Sequence, residues 1–291
     1  MIDLGKLLIP LPTPFDEEFE VDYEKAAQLG RKVSSLSFTD SVVVTATSGE
    51  FTSMTFEEKV KLFKTVKRVI GEKPLIAGTG AAFTKEGINL TKAAEEVGVD
   101  VAMLAPPYYL KPSQEGIYRH FKVIAENTKL PVMIYNVGFA GVNIEPDTIA
   151  RLSEIENIFA IKEIGPNPLQ VAETIMKSSR GFKVYAGSAA LAPCILAQGG
   201  IGVVCEPMIG DRVQKLVDFY LSGDIKGGLE VYFDLITYFK IYGSRTNPVP
   251  ILKYAMSLAG FDAGRPRPPL TELNEQEKVA IKETLQKLHI I

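Results

Sequence analysis

Val132-Met133-Ile134-Tyr135-Asn136-Val137 and, after one helical stretch, Phe159-Ala160-Ile161-Lys162-Glu163-Ile164 decide the reading of the fold. Both runs are short, rich in apolar and β-branched residues, and apolar on either face rather than alternating. That is the pattern of strands in a parallel sheet with helices on its outside. The unit recurs: comparable runs lie at 7–11, 42–47, 75–78, 101–105, 184–187 and 201–205. Helix starts fall between them. Asp22 opens one, and Thr55-Phe56-Glu57-Glu58 is a capping-box pattern followed by Val60, Leu62, Phe63 and Val66. Thr84, Ser113 and Asp147 read as caps or first-turn residues of the next ones. Eight strand–helix units spaced by roughly 20–35 residues match a (β/α)8 TIM barrel; an open doubly wound sheet accounts less well for the count. Residues 223–291 carry helical patterns at Ile225–Tyr242, 249–259 and 275–288 without a strand signal. The prediction is a barrel over 1–222 and a C-terminal helical extension, 223–291, packed on it.

Composition narrows the chemistry. The chain has 291 residues, 46% hydrophobic and 23% charged, enough apolar content to exclude disorder. Its net charge of −3 shows no bias toward nucleic acid. Two histidines and two cysteines leave no material for a zinc site of those ligands or for a disulfide framework. Catalysis falls to Lys, Tyr, Ser/Thr, Asp/Glu or backbone groups. Met1-Ile2-Asp3-Leu4-Gly5-Lys6 lacks the secretory pattern. No run approaches the roughly 18 apolar residues that cross a bilayer. Cys194 and Cys205, both among apolar neighbours, read as buried free thiols. The expectation is a cytoplasmic protein with no membrane or nucleic-acid partner.

In a TIM barrel the active site lies at the C-terminal ends of the strands. Lys162 interrupts an apolar strand there. An amine in apolar surroundings loses hydration of its charged form, so its pKa falls and the neutral amine can attack a carbonyl. Position alone leaves a snorkelling lysine as an equal alternative. Its neighbours tip the balance. Tyr135, one strand away, can pass protons, and Thr47-Ser48-Gly49 offers hydroxyls and backbone N–H groups to a small carboxylate, with Gly49 supplying an unusual backbone angle. Together these fit carbonyl chemistry on a 2-oxo acid. Gly78-Thr79-Gly80 begins a dinucleotide fingerprint, but Phe83 stands where its third glycine belongs, so it reads as a tight turn. Gly187 and the glycines at 199–202 give room for a small ligand. His120 and His289 read as packing or surface residues.

These residues resemble the pyruvate-dependent class I aldolases typified by dihydrodipicolinate synthase and N-acetylneuraminate lyase. The likeness runs through Thr13-Pro14-Phe15, Ala46-Thr47-Ser48-Gly49-Glu50, Pro107-Tyr108-Tyr109, Pro112-Ser113-Gln114-Glu115-Gly116, Tyr135-Asn136 and Ile161-Lys162-Glu163. It continues through Ala186-Gly187-Ser188, Asn247-Pro248-Val249-Pro250 and Arg265-Pro266-Arg267-Pro268-Pro269-Leu270. The resemblance implies that Lys162 forms a Schiff base with pyruvate or a pyruvate-yielding 2-oxo acid, with Thr47 and Ser48 on its carboxylate. Tyr135 would be the acid/base, completed by Thr47 and by Tyr109 reaching in from a neighbouring subunit. The backbone around Ile201 would touch the intermediate. It further implies a homodimer or homotetramer and no metal or organic cofactor.

The departures concern the second substrate. Dihydrodipicolinate synthases carry an arginine after the Tyr-Asn pair. This chain reads Val137-Gly138-Phe139-Ala140-Gly141, with Ala140 at the nearest alignment and no basic residue in the run. Strand 8 ends in Glu206-Pro207-Met208, where the family often has a small residue and Asn, and an acid there can bind sugar hydroxyls. Glu50-Phe51 after Ser-Gly resembles the family's sugar-acid dehydratases. The sequence therefore points first to reversible cleavage of a 2-keto-3-deoxy sugar acid to pyruvate and an aldehyde. 4-Hydroxy-tetrahydrodipicolinate synthase and a keto-deoxy-sugar-acid dehydratase are the alternatives within the family. A non-catalytic barrel that binds an oxo acid is the rival from another class, disfavoured because binding alone needs no nucleophile.

Overall fold

The computed structural model describes residues 2–138, 141–165 and 167–291. Eight parallel strands close into a barrel in chain order: β1 (Leu7–Pro10), β2 (Ser41–Val44), β3 (Leu75–Gly78), β4 (Val101–Leu104), β5 (Val132–Asn136), β6 (Ile158–Glu163), β7 (Lys183–Ala186) and β8 (Gly202–Val204). Leu7 of β1 stands opposite Val203 of β8, so the sheet has no edge. Around it run α1 (Tyr23–Ser34), α2 (Phe56–Lys67), α3 (Thr84–Val97), α4 (Gln114–Glu126), α5 (Pro146–Ser153), α6 (Pro168–Lys177), α7 (Ala192–Ala197) and α8 (Gly210–Ser222). No helix among the described residues is long and apolar enough to cross a membrane.

Strand alternation splits the apolar residues into two cores. Leu8, Val43, Ile76, Met103, Met133, Ala160 and Val204 fill the barrel interior. Leu7, Ile9, Val42, Val44, Ile134 and Ile161 face the helices. Both faces are buried, which is why the strands read as apolar throughout. The floor is sealed by Leu4 and by Tyr185, whose hydroxyl donates to the Gly5 carbonyl at 3.2 Å. The barrel is therefore open only at the C-terminal strand ends.

The helix starts behave as their residues predict. Asp22 accepts from Lys25 N at 2.9 Å, Ser113 from Gly116 N at 3.2 Å, and Thr55 with Glu58 closes a complete capping box. Asp147 is a first-turn residue behind Pro146. Thr84 opens α3 and bonds His120 Nδ1 at 3.0 Å instead of capping. His120 is buried, and that burial lowers its pKa from 6.5 to about 4. Between those values the unfolded chain holds a proton that the native one lacks, so stability rises with pH there. Acidifying from pH 6.5 to 4 should remove up to about 3 kcal/mol at this site. Melting curves of His120→Asn against pH should show a correspondingly flatter slope across that window; an unchanged slope refutes the assignment. Cys205 is buried as expected, whereas Cys194 is half-buried because its sulfur faces Gln198 Nε2 at 3.3 Å.

The extension holds α9 (Ile225–Tyr242), α10 (Val249–Leu258) and α11 (Glu275–Lys287). α9 packs on α7 and α8, and α11 on α9 and α10. Its deepest tie to the barrel is polar. Lys253 of α10, 2% exposed, lies 2.6 Å from Glu50 just beyond β2 and donates to the Thr13 and Arg265 carbonyls. Arg267 adds its backbone N–H to Glu50 at 2.9 Å and its guanidinium to Glu58.

Candidate active site

β2 is shorter than its apolar run because Thr45 turns into the left-handed region, φ 52°, and its hydroxyl donates to the Gly78 carbonyl at 2.9 Å. The chain then folds over itself, with Gly49 N donating to the Ala46 carbonyl and Glu50 N to that of Thr47. Glu50 is also left-handed, φ 54°. The unusual angles thus belong to Thr45 and Glu50, not to Gly49 as expected. Gly49 is needed for space, since a Cβ there would sit 3.0 Å from Thr45 N. This turn lifts Thr47 and Ser48 to the barrel mouth.

Lys162 and Tyr135 are register partners on β6 and β5. Both face the barrel interior, 4% and 3% exposed. The Lys162 Nζ lies 3.9 Å from the Tyr135 ring centroid, and the Tyr135 hydroxyl is 3.0 Å from Thr47 Oγ1. Glu163, next in sequence to Lys162, points to the other face. There it accepts from Asn136 Nδ2 at 3.0 Å and from Gly165 N at 2.6 Å. Its burial pushes its carboxyl up, against those hydrogen bonds. Strand alternation keeps this carboxyl away from the amine. Gly187 N donates to the Glu163 carbonyl at 2.7 Å, and a Cβ on Gly187 would meet that oxygen at 2.8 Å. Only glycine lets the end of β7 close against β6 beside the lysine.

These side chains enclose a cavity of about 300 Å³ lined by Thr47, Ser48, Tyr135, Lys162, Gly187 and Glu206 together with residues of the extension. A roomier cleft of about 510 Å³ lies elsewhere, against the extension. Lys25 pairs there with Asp262 and Arg265 with Glu272, and its one buried amine, Lys253, is held by Glu50 and by the Thr13 and Arg265 carbonyls. The smaller cavity is the one that sets an uncommitted amine against a hydroxyl pair.

Two expected residues are not brought there. Ile201 precedes β8, at the floor end, and its N–H donates to the Val184 carbonyl. Val204, at the other end of the strand, lines the cavity in its place. Tyr109 is 90% exposed, with φ 70°, and does not line its own chain's cavity. Ala140 lies outside the described residues.

The extension supplies what sequence reasoning missed. Tyr242 at the end of α9, with Arg245 and Asn247 between α9 and α10, forms one wall. The Asn247-Pro248-Val249-Pro250 run, which looked only like a family signature, was the available signal. Arg245 is committed elsewhere, to Glu277 at 2.5 and 2.6 Å and to the Thr271 carbonyl. Glu206 is half-buried at the wall, beside Tyr242. Burial pushes the Glu206 carboxyl above the usual range, opposed by Tyr242 and by the charge of Lys162. No group of three or more His, Cys, Asp or Glu among the described residues is arranged to hold a metal. An amine against a hydroxyl pair, in a small cavity at the barrel mouth, can form and hydrolyse an imine of a small oxo acid.

The arrangement has close relatives. The sequence model of the Dihydrodipicolinate synthetase family matches residues 3–288. The 4-hydroxy-tetrahydrodipicolinate synthase of Bacillus velezensis is 42% identical over 99% of this chain and 100% of its own. That of Desulforudis audaxviator is 40% identical over 100% and 99%. A crystal structure of a dihydrodipicolinate synthase from Bacillus anthracis superposes with TM-score 0.93 at 41% identity, covering 98% of this chain and 99% of that one.

Proposed function

The chain belongs to the dihydrodipicolinate synthetase family, and from that premise we propose that it condenses pyruvate with aspartate semialdehyde, the 4-hydroxy-tetrahydrodipicolinate synthase reaction. As a family member it is a lyase-type, Schiff-base-forming, pyruvate-dependent aldolase. The observation that carries the chemistry is the Lys162 amine against Tyr135, whose hydroxyl is 3.0 Å from Thr47. For the second substrate the reading is supported by full-length relatives near 40% identity. They favour this condensation over the sugar-acid cleavage to which the sequence pointed first.

In this reading Lys162 attacks C2 of pyruvate while Thr47 and Ser48 hold the carboxylate. Tyr135 protonates the departing hydroxyl of the carbinolamine, and loss of water leaves an iminium. The iminium then gives up a C3 proton to become an enamine, which adds to the aldehyde. Tyr135→Phe should lower turnover about 100-fold or more, the usual share of a positioned acid/base, while the folded state is retained. The check is steady-state kinetics beside circular dichroism; a loss below about fivefold refutes the role. Tyr109, exposed on its own chain, completes the relay from a neighbouring subunit of a homodimer or of a pair of dimers in the cytoplasm.

One observation keeps the 2-keto-3-deoxy sugar acid reading in play: the 137–141 run has no basic residue to hold a second carboxylate. Assays of pyruvate plus aspartate semialdehyde, against 2-keto-3-deoxygluconate alone, separate the two. The proposal expects rapid consumption of the semialdehyde. Cleavage of the sugar acid with the semialdehyde left untouched overturns it.

A further inference from the structure

Among the residues lining the cavity the charged ones are Lys162, Glu206 and Arg245. Arg245 is saturated by Glu277 and by main-chain carbonyls, so Glu206 is the one charge beside the nucleophile left to meet a substrate. It stands directly after β8, between buried Cys205 and Pro207, so its backbone is held on both sides. Beside it on the cavity wall is Tyr242, whose ring is stacked on Tyr238, centroids 5.9 Å apart at 25°. Tyr238 is 1% exposed and its own hydroxyl finds no partner. Rigid aromatic packing thus presents a carboxyl group to the same space that Lys162 and Tyr135 face.

We propose that Glu206, oriented by Tyr242, is the acceptor for the α-ammonium of the semialdehyde and the base that frees this amine for ring closure. The inference rests on the condensation proposed above and assigns its second half. Aspartate semialdehyde carries an ammonium as well as a carboxylate, and an anionic side chain recognises the former. A chain without a basic residue at 137–141 can therefore still bind this substrate, by its cationic end. Chemically, the aldol product remains on Lys162 as an iminium at C2. Glu206 takes a proton from the ammonium, and the freed amine attacks C2, forming a carbon–nitrogen bond. The proton held by Glu206 passes to Nζ, and Glu206 takes a second proton from the new ring nitrogen. The lone pair left on that nitrogen forms the ring C2=N bond as the C2–Nζ bond breaks. The second proton then passes from Glu206 to the free lysine amine. Nothing is oxidised or reduced, and the carboxylate is regenerated. Burial, which raises the basicity of this carboxylate, suits it to the task.

The test combines kinetics with borohydride trapping, read by intact-protein mass, on wild-type protein, Glu206→Gln and Tyr242→Phe. For Glu206→Gln, kcat/KM for the semialdehyde is expected to fall about 30-fold or more. Tyr242→Phe, which only releases the carboxylate from its orientation, is expected to lose less. With both substrates present, Glu206→Gln should trap a Lys162 adduct carrying the joined carbon skeleton, because ring closure is blocked, while wild-type protein yields the pyruvate adduct. Activity within about threefold of wild type overturns the proposal. So does a large loss accompanied only by the pyruvate adduct, which would mean that Glu206 shapes the pocket before carbon–carbon bond formation. Wild-type protein that traps pyruvate but leaves the semialdehyde unconsumed overturns the condensation itself and this inference with it, a failure read before any variant is made.

Discussion

Lys162→Ala protein, mixed with pyruvate and borohydride, should show no mass increase, and its turnover should fall by at least about a thousandfold. In the proposed mechanism the nucleophile splits one hard step into two easier ones, and no other amine can replace it: among the described residues Lys162 is the only lysine in the wall. Arg245 stays protonated and is tied to Glu277, so it cannot form an imine. The alanine leaves an apolar gap between Tyr135 and Tyr185 without an unpaired buried charge, so the barrel should still fold. A folded variant that still takes up pyruvate covalently would remove Lys162 from the mechanism and leave the cavity as a binding site.

Lys162 was legible because a charge inside an otherwise apolar strand conflicts with local patterning, and such conflicts mark functional sites. Tyr135 was legible because it ends the preceding strand and parallel register brings the two side by side. The eight-strand repeat and the helix caps were legible for a related reason: each unit satisfies its own local rules. What escaped was information that does not reside in any one unit. Ile201 precedes, and Val204 ends, a three-residue strand. With glycines at 199, 200 and 202 the apolar run does not reveal where pairing begins. The strained residues of the β2 turn were assigned to Gly49, the residue that tolerates strain best. Tertiary hydrogen bonding places the strain on Thr45 and Glu50 instead. Tyr242 and Asn247 sit in a helical pair whose pattern announces packing alone. Their presence in the cavity follows from how α9 lies on α7 and α8, which periodicity does not encode.

Lys253→Met should destabilise the protein by about 3–5 kcal/mol, because it removes the cation from a buried pair and leaves Glu50 without compensation. The pair itself is not a source of net stability. Burial lowers the Lys253 pKa to about 8 despite the attraction of Glu50, so the desolvation cost of this ammonium exceeds what the carboxylate returns. The contact is close, 2.6 Å, but Glu50 Oε1 has no aligned hydrogen bond, so its charge is met chiefly by Lys253. One measurement separates this account from simple loss of packing volume. Lys253→Met/Glu50→Gln, lacking both charges, should recover much of the loss seen in thermal unfolding, since methionine fills most of the lysine's space. A double variant no better than the single would show that Lys253 acts through shape alone. The functional consequence follows from position. Glu50 closes the turn that carries Thr47 and Ser48, and Arg267 and Lys253 clamp it from the extension. Loss of the clamp should therefore weaken the Thr47–Tyr135 contact, and kcat should fall in the single variant under conditions where it remains folded.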